Sequence, residues 1–182
     1  MMPYEPNLNG ELDKGPNLNG ELDKGSKRIW TNSKGELHRE NGPAVEWVDG
    51  DKLWYLNDEL HRENGPAVEW VDGTNYWYLN DEQHREDGPA VEDADGTKCW
   101  YINGKLHRED GPAIENADGD KWWYLNDKLH REDEPAIEYA NGTKRWWING
   151  KQISKDEWLQ WLKDGNSSLS TNEVTRLILE WA

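Results

Sequence analysis

A His-Arg-Glu triplet recurs five times along the chain, at intervals of 23 residues. The triplets begin at His38, His61, His84, His107 and His130. Imidazole and carboxylate groups this close together are suited to proton transfer or metal binding. Copies built from two strands lie about 9.6 Å apart, which is too far for neighbouring imidazoles to share one zinc ion. A catalytic site is normally built once, so five equivalent copies favour a structural role. We expect no catalytic residue, no metal site and no cofactor.

Tryptophans occupy two positions of the repeat. The first position is filled in every copy, and we expect these side chains in the core: Trp54, Trp77, Trp100, Trp123 and Trp146. The second holds Trp47 and Trp70, then Asp93, Asn116 and Tyr139. Because a core position rarely accepts Asp, this second position is predicted to be exposed, with Trp47 and Trp70 forming a contact patch. The two rings could instead pack on one another across strands.

Negative charge is concentrated around those two tryptophans. The chain carries a formal net charge of −16, and the copies at 38–60 and 61–83 each contribute −4, whereas the copy at 130–152 is neutral. An acidic surface with exposed aromatic side chains suits a protein partner that has a basic surface. The alternative is a solvated face that keeps the chain soluble. The predicted partner-binding residues are Trp47, Trp70, Glu46, Glu69, Asp49 and Asp72.

Turn signals indicate how the repeat folds. Asp-Gly recurs at 49–50, 72–73, 95–96 and 118–119, and a second turn follows each Trp-Tyr-Leu-Asn or related stretch. Such pairs between apolar runs are typical of β-hairpins, so two turns per copy predict two strands per copy and about ten strands in five copies. Copies would supply the core by stacking. We therefore predict a mainly β fold, a single elongated antiparallel sheet of stacked hairpin repeats with a C-terminal two-helix cap.

The two ends differ from the repeats. Residues 6–15 recur identically as 16–25, and we predict a mobile, turn-rich tail over 1–26 because it lacks aromatics to pack. The repeat domain is assigned to 27–152. Ser154 with Glu157, and Ser170 with Glu173, have capping-box spacing and predict two helices within 153–182.

The repeat resembles the MORN family. MORN repeats are also 23-residue hairpins with an aromatic strand, an Asn-Gly turn, a following His and an Asp-Gly turn, and Trp123 to His130 with Asn141-Gly142 matches that pattern. The resemblance covers about residues 29–152 and implies a non-enzymatic scaffold. This chain has His-Arg-Glu-Asp-Gly-Pro-Ala where the family usually has His-Gly-x-Gly. That variant resembles repeats of phage and giant-virus proteins.

Composition excludes several classes of function. Cys99 is the only cysteine, so neither an internal disulfide nor a cysteine zinc cluster is expected. The chain has no apolar run of 18 residues, and its first residues lack the features of a secretion signal. We expect a cytoplasmic protein, in the host cytoplasm if it is viral. Direct binding to nucleic acid or to an anionic membrane is not expected, because both need an excess of Lys and Arg.

The leading hypothesis is a non-enzymatic, acidic scaffold that binds a basic partner protein, with a phage inhibitor of a host immune factor as its narrower form. One alternative is a DNA mimic that sequesters a nucleic-acid-binding protein. Another is an aromatic cage for a small cation, since Trp122 to Asn126 resembles a choline-binding repeat. A homodimer formed through a sheet edge or the C-terminal helices is also possible.

Overall fold

The structure, a computed structural model, describes residues 27–181 and is mainly β, with two helices at the C-terminal end. The predicted mobile tail, 1–26, lies outside the described residues, and the predicted division at 27–152 and 153–182 stays a prediction. The chain forms two compact units. The first runs to Asp95 and includes Ile102–Gly104, and the second comprises Gly96–Tyr101 and Lys105–Ala182.

The strands are short, most of them two residues long. The first ten are β1 (Lys27–Ile29), β2 (Val45–Trp47), β3 (Lys52–Leu53), β4 (Tyr55–Leu56), β5 (Glu59–Leu60), β6 (Val68–Glu69), β7 (Asn75–Tyr76), β8 (Tyr78–Leu79), β9 (Glu82–Gln83) and β10 (Val91–Glu92). The others are β11 (Lys98–Cys99), β12 (Tyr101–Ile102), β13 (Lys105–Leu106), β14 (Ile114–Glu115), β15 (Lys121–Trp122), β16 (Tyr124–Leu125), β17 (Lys128–Leu129), β18 (Ile137–Glu138), β19 (Lys144–Ile148) and β20 (Lys151–Ile153).

Twelve strands carry the main antiparallel ladder, six in each unit. Their order is β1-β2-β3-β6-β7-β10 in the first unit and β11-β14-β15-β18-β19-β20 in the second. Small hairpins accompany them, such as β4 with β5, β8 with β9 and β16 with β17. The mainly β, antiparallel fold predicted from the turn signals is therefore confirmed, as are the two C-terminal helices.

Each of the first four copies contains four short strands where the sequence predicted two, and the copy at 130–152 contains three, because β19 runs through Trp146 without a break. The expected long strand changes partner at its tryptophan. At the end of the first copy's main-sheet strand, the Trp54 N–H donates to the Ala67 carbonyl at 2.8 Å, and the Trp54 carbonyl accepts from the His61 N–H at 3.0 Å. The same pair of bonds recurs around Trp77, Trp100 and Trp123. The backbone before the tryptophan therefore pairs in the main sheet, and the backbone after it pairs in a side hairpin.

Two kinds of turn close these hairpins. At the side hairpins both turn residues have positive φ, as at Asn57 (54°) and Asp58 (66°), which fits a two-residue type I′ turn. At the Asp-Gly turns only the glycine does, as at Gly50 (φ 111°), and its N–H donates to the Trp47 carbonyl at 3.1 Å. Gly50 is thus the last residue of a three-residue hairpin loop. Glycine suits this position because it has no Cβ to clash when φ is positive.

The main ladder has one apolar face and one charged face. Val45 pairs with Ile29 and Leu53 on the apolar face, and Val68 continues that row in the next copy. On the other face Glu46 pairs with Arg28 and Lys52. Directly paired residues in an antiparallel sheet share a face, so acidic residues on this face lie opposite basic ones on the neighbouring strands, except at β7, where Asn75 pairs with Glu69 and Glu92.

Small residues fill the centre of the repeats. The alanine of each Gly-Pro-Ala segment, or of Glu134-Pro135-Ala136, is completely buried: Ala44, Ala67, Ala90, Ala113 and Ala136. The next residue is also buried in four of the copies: Val45, Val68, Val91 and Ile137. A buried methyl group leaves no space for a larger side chain, so the close approach of successive copies depends on this alanine.

The C-terminal helices, α1 (Lys155–Lys163) and α2 (Thr171–Trp181), build a separate apolar core. Trp158, Leu162 and Leu177 are its fully buried centre, and Trp146 and Ile148 of β19 pack against it. The Ser154 and Glu157 capping box is present, which confirms that prediction. Ser170 and Glu173 make the corresponding bonds at the start of α2. No helix within residues 27–181 is long and apolar enough to cross a membrane.

Candidate interaction surface

Every arginine of the His-Arg-Glu triplets stacks on a tryptophan. The guanidinium carbon lies 3.8–4.1 Å from the ring centroid in five pairs: Arg39 on Trp30, Arg62 on Trp54, Arg85 on Trp77, Arg108 on Trp100 and Arg131 on Trp123. We call Trp30, Trp54, Trp77, Trp100 and Trp123 the stacked column. A guanidinium on an indole face gains both cation–π attraction and packing.

The remaining contacts of the guanidinium explain the rest of the motif. Arg62 donates to the Pro66 carbonyl at 2.9 Å and to Glu69 Oε1 at 2.6 Å. A Cβ added at Gly65 would lie 2.9 Å from the guanidinium carbon of Arg62. The arginine is therefore enclosed by Trp54, by the bare backbone of Gly65 and by a carboxylate of the main sheet. The motif is a structural unit that fixes the loop between side hairpin and sheet.

The later copies add a carboxylate to this unit. Arg85 donates from Nε to Asp87 at 2.9 Å, and Arg108 does the same to Asp110. The hydrogen bond and the positive charge of each arginine lower the pKa of its aspartate. In the fifth copy Glu134 replaces the glycine and pairs with Arg131. An ion pair thus takes the place of the close backbone contact.

Each histidine bonds to the turn of the side hairpin that follows it in the chain. The N–H of Asn57 donates to His38 Nδ1 at 3.2 Å, and His61, His84, His107 and His130 accept corresponding bonds 19 residues ahead. His84 Nε2 lies 3.9 Å from the Glu86 carboxylate, with similar contacts at His107 and His130. The hydrogen bond from the asparagine 19 residues ahead was not predicted from the sequence. In residues 27–181 no group of three His, Cys, Asp or Glu side chains is placed to hold a metal.

The second tryptophan position has a different environment, and we call Trp47, Trp70, Asp93, Asn116 and Tyr139 the variable column. Its first two members touch, with ring centroids 6.5 Å apart and planes tilted by 41°. Trp70 is 36% exposed, and Val71 beside it is 67% exposed. Trp47, Val48, Trp70 and Val71 together form an exposed apolar surface, the Trp47–Trp70 patch. The two rings therefore pack on one another, and Trp70 still reaches solvent, whereas Trp47 and the later members of the column are half-buried. Their role as a contact patch stays a prediction.

The turns that carry the patch are held by side-chain acceptors. Asp51 Oδ1 accepts from the Val71 N–H at 2.8 Å, which ties the first Asp-Gly turn to the second. Asp72 Oδ1 accepts from the Thr74 N–H at 2.9 Å within its own turn. Asp49 and Asp72 are exposed on these two turns, beside the patch. Four of the six predicted partner-binding residues, the two tryptophans and these two aspartates, are therefore brought to one place.

The other two predicted residues, Glu46 and Glu69, lie on the opposite face of the sheet. Side chains alternate along a strand, so Glu46 points away from its neighbour Trp47. Glu46 pairs with Arg28 at 3.4 Å, and Glu69 pairs with Arg62 at 2.6 Å and Lys52 at 3.7 Å. Their carboxylates are already neutralised by basic side chains of this chain. The period-two alternation that separates them from the tryptophans is visible in the sequence.

Charged side chains flank the two tryptophans along the variable column. The Lys27 ammonium lies 5.4 Å from the centroid of the Trp47 ring. One copy beyond Trp70 the column continues with Asp93, whose Oδ1 accepts a hydrogen bond from the Tyr76 hydroxyl at 3.1 Å. Burial, followed by this bond to Asp93, raises the pKa of Tyr76. The phenol therefore stays protonated near neutral pH and holds the carboxylate in place.

An open groove of about 660 Å³ lies in the first unit between the His-Arg-Glu segments of two successive copies. Its walls include Arg62 and Arg85, both of which are stacked on tryptophan and paired with carboxylates. Comparison with known proteins adds no assignment: no family model and no curated relative matches this chain. The Trp47–Trp70 patch, with its apolar rings and acidic turns, remains the surface best suited to bind another molecule.

Proposed function

We propose that this chain is a non-enzymatic repeat protein that binds a partner protein through the Trp47–Trp70 patch. The observation that carries the proposal is the exposure of Trp70 and Val71 beside acidic turns, in a protein that packs the tryptophans of its stacked column under arginines. Exposed tryptophans next to polar groups are the residues most often responsible for binding energy at interfaces.

Charge indicates the chemistry of the partner. The two copies that carry the patch each have a net charge of −4. A partner with a basic surface would be attracted at long range and would neutralise Asp49 and Asp72 on contact. Glu46 and Glu69 face the other side of the sheet from the patch. They would contribute to partner binding through their charge and through the ion pairs that hold the sheet together.

A narrower form of the proposal names the kind of protein that the partner is and where the two would meet. The likeness of the repeat to MORN hairpins supports a scaffold role, and its likeness to repeats of phage and giant-virus proteins supports a host protein as the target. We propose a cytoplasmic location on the same ground, together with the single cysteine. In this narrower form the chain inhibits that host protein, and the target is an immune factor.

Affinity capture with paired variants tests the proposal. Wild-type protein is compared with Trp70→Ala, with Asp49→Lys/Asp72→Lys and with Glu109→Lys, a charge reversal at an exposed site outside the patch. Captured proteins are identified by mass spectrometry and then titrated directly as purified proteins. We expect both patch variants to lose the same protein by tenfold or more, about 1.4 kcal/mol, while Glu109→Lys retains it.

Circular dichroism of each variant establishes that the fold is intact. A captured protein that binds all four forms equally would contradict the proposal. Competition of that protein with duplex DNA distinguishes the mimicry alternative, which would require loss of binding whenever DNA is added. The alternating charges of the sheet face, where each of Glu46, Glu69 and Glu115 pairs with a basic residue, do not form the continuous row of anions that mimicry needs.

A further inference from the structure

We infer that the Trp47–Trp70 patch recognises an arginine side chain of its partner, with Trp70 as the stacking surface and Asp93 as the hydrogen-bond acceptor. This inference rests on the proposed function and adds the chemical group that the surface selects.

The chain itself shows how it binds guanidinium groups. In the stacked column each arginine lies 3.8–4.1 Å from an indole centroid. Four of these arginines also donate to a glutamate of the neighbouring strand, as Arg62 does to Glu69 at 2.6 Å. An indole face next to a carboxylate is therefore the arrangement that holds arginine in this protein. The planar guanidinium can stack and donate at the same time.

The variable column offers the same two groups without an arginine. Trp70 is exposed, and Asp93 follows it in the column, two strands along, because β6 and β10 both pair with β7. Within residues 27–181 a lysine lies over Trp47, but no cation is found over Trp70. The Tyr76 hydroxyl fixes one oxygen of Asp93. The carboxylate is thereby held at the position of the column that follows the exposed ring.

Lysine fits this arrangement less well than arginine. The lysines that lie over tryptophan in this chain, Lys27, Lys144 and Lys155, stand 4.9–5.9 Å from the ring centroid. The arginines come closer, because a delocalised and weakly hydrated cation loses less on contact with an apolar ring. The surface should therefore distinguish the two basic residues, which a merely acidic surface would not do.

The test compares two peptides of equal charge, deca-arginine and deca-lysine, titrated against the full chain by calorimetry at constant ionic strength. We expect deca-arginine to bind about tenfold more tightly. Trp70→Ala should reduce that ratio to near one. Asp93→Asn, which keeps an acceptor for Tyr76, should reduce it severalfold. Glu109→Gln, which removes one exposed charge elsewhere, should leave the ratio unchanged.

The indole N–H signal of Trp70, assigned by comparison with Trp70→Phe, should shift on addition of deca-arginine. Equal affinities for the two peptides, or a preference that survives Trp70→Ala, would overturn the inference. Its failure is distinguishable from failure of the proposed function. If the captured protein still depends on Trp70 while the peptides bind equally, the interaction surface stands and the arginine selectivity is wrong.

Discussion

Trp77 and Trp70 lie seven residues apart in one copy of the repeat, yet they belong to columns with opposite properties. Trp77 is in the stacked column, where every member has an arginine about 4 Å from its ring. Trp70 is in the variable column, which changes to Asp, Asn and Tyr in later copies. The tryptophan and arginine of the stacked column repeat without change because they pack on one another. The position that varies carries no such arginine stack at Trp70, and it is the position that we propose for recognition.

Removing each of these tryptophans gives the largest expected difference between the columns. Trp77→Ala should lower the free energy of unfolding by about 2–3 kcal/mol, because it removes the surface on which Arg85 lies. Trp70→Ala should lower it by no more than about 1 kcal/mol, since this ring is partly exposed and packs on Trp47 without an arginine over it. Urea unfolding followed by circular dichroism measures both. Equal losses would mean that the two columns are not distinct in packing.

The glycine of the motif gives a sharper test of the stacked column. A Cβ at Gly88 would lie 2.8 Å from the Arg85 guanidinium carbon, and φ of Gly88 is outside the left-handed region, so the expected cost is steric. Gly88→Ala should destabilise the protein by about 2 kcal/mol. In an Arg85→Ala background the same change should be nearly neutral. An equal loss of stability in both backgrounds would show that Gly88 is needed for its backbone conformation and not for close contact with Arg85.

The turns that carry the variable column are held by hydrogen bonds, which we expect to contribute less to stability than the arginine–tryptophan stacks. Thr74 is buried, and its hydroxyl oxygen accepts from the Ala94 N–H at 3.1 Å. Thr74→Val keeps the shape and removes the acceptor, so we expect a loss of about 1 kcal/mol. Thr143→Val, at the equivalent but exposed position of the last copy, is the matched control. Similar losses at both positions would indicate an effect of β-propensity and not of the hydrogen bond.

Local signals predicted the repeats, their hairpins and the helix caps. Each depends on residues close in sequence, such as Asn57 with Asp58 or Ser154 with Glu157, whose conformations are fixed by backbone sterics and short hydrogen bonds. The change of partner at Trp54 was missed, because a continuous strand and a strand shared between two ladders have the same apolar pattern. The turn that follows was recognised, but a turn alone does not show that the strand before it changes partner.

The contacts of the candidate site depend on register, which is why only part of it was predicted. The stacking of Arg62 on Trp54 joins residues eight apart across a hairpin, and no propensity encodes it. The signal was present, however, because a tryptophan, an arginine and usually a glycine recur together in each copy. The placement of Glu46 on the face opposite Trp47 follows from strand alternation alone, and it narrows the predicted site to the tryptophans and the turn aspartates.

The smallest expected effect concerns the residue two positions after the arginine of each triplet, which is Asn in the first two copies and Asp in the later ones. Asn64 of the second copy is replaced by Asp87 in the third, where it accepts from Arg85 at 2.9 Å. Asp87→Asn should lower Tm at pH 7 by no more than about 2 °C, because the pair is exposed to solvent. The reverse change, Asn64→Asp, should raise it by a similar amount.

The pH dependence of this difference has a definite sign. The hydrogen bond and charge of Arg85 lower the pKa of Asp87 below its ordinary value of 3.8, so the stability that the carboxylate contributes is fully present at pH values above that ordinary pKa. It is lost as pH falls through the lower folded-state pKa, and wild type and Asp87→Asn should then have the same Tm. Thermal unfolding at neutral pH and near pH 2 measures this convergence. A Tm difference that persists in acid would show that the aspartate stabilises the later copies by hydrogen bonding and not by its negative charge.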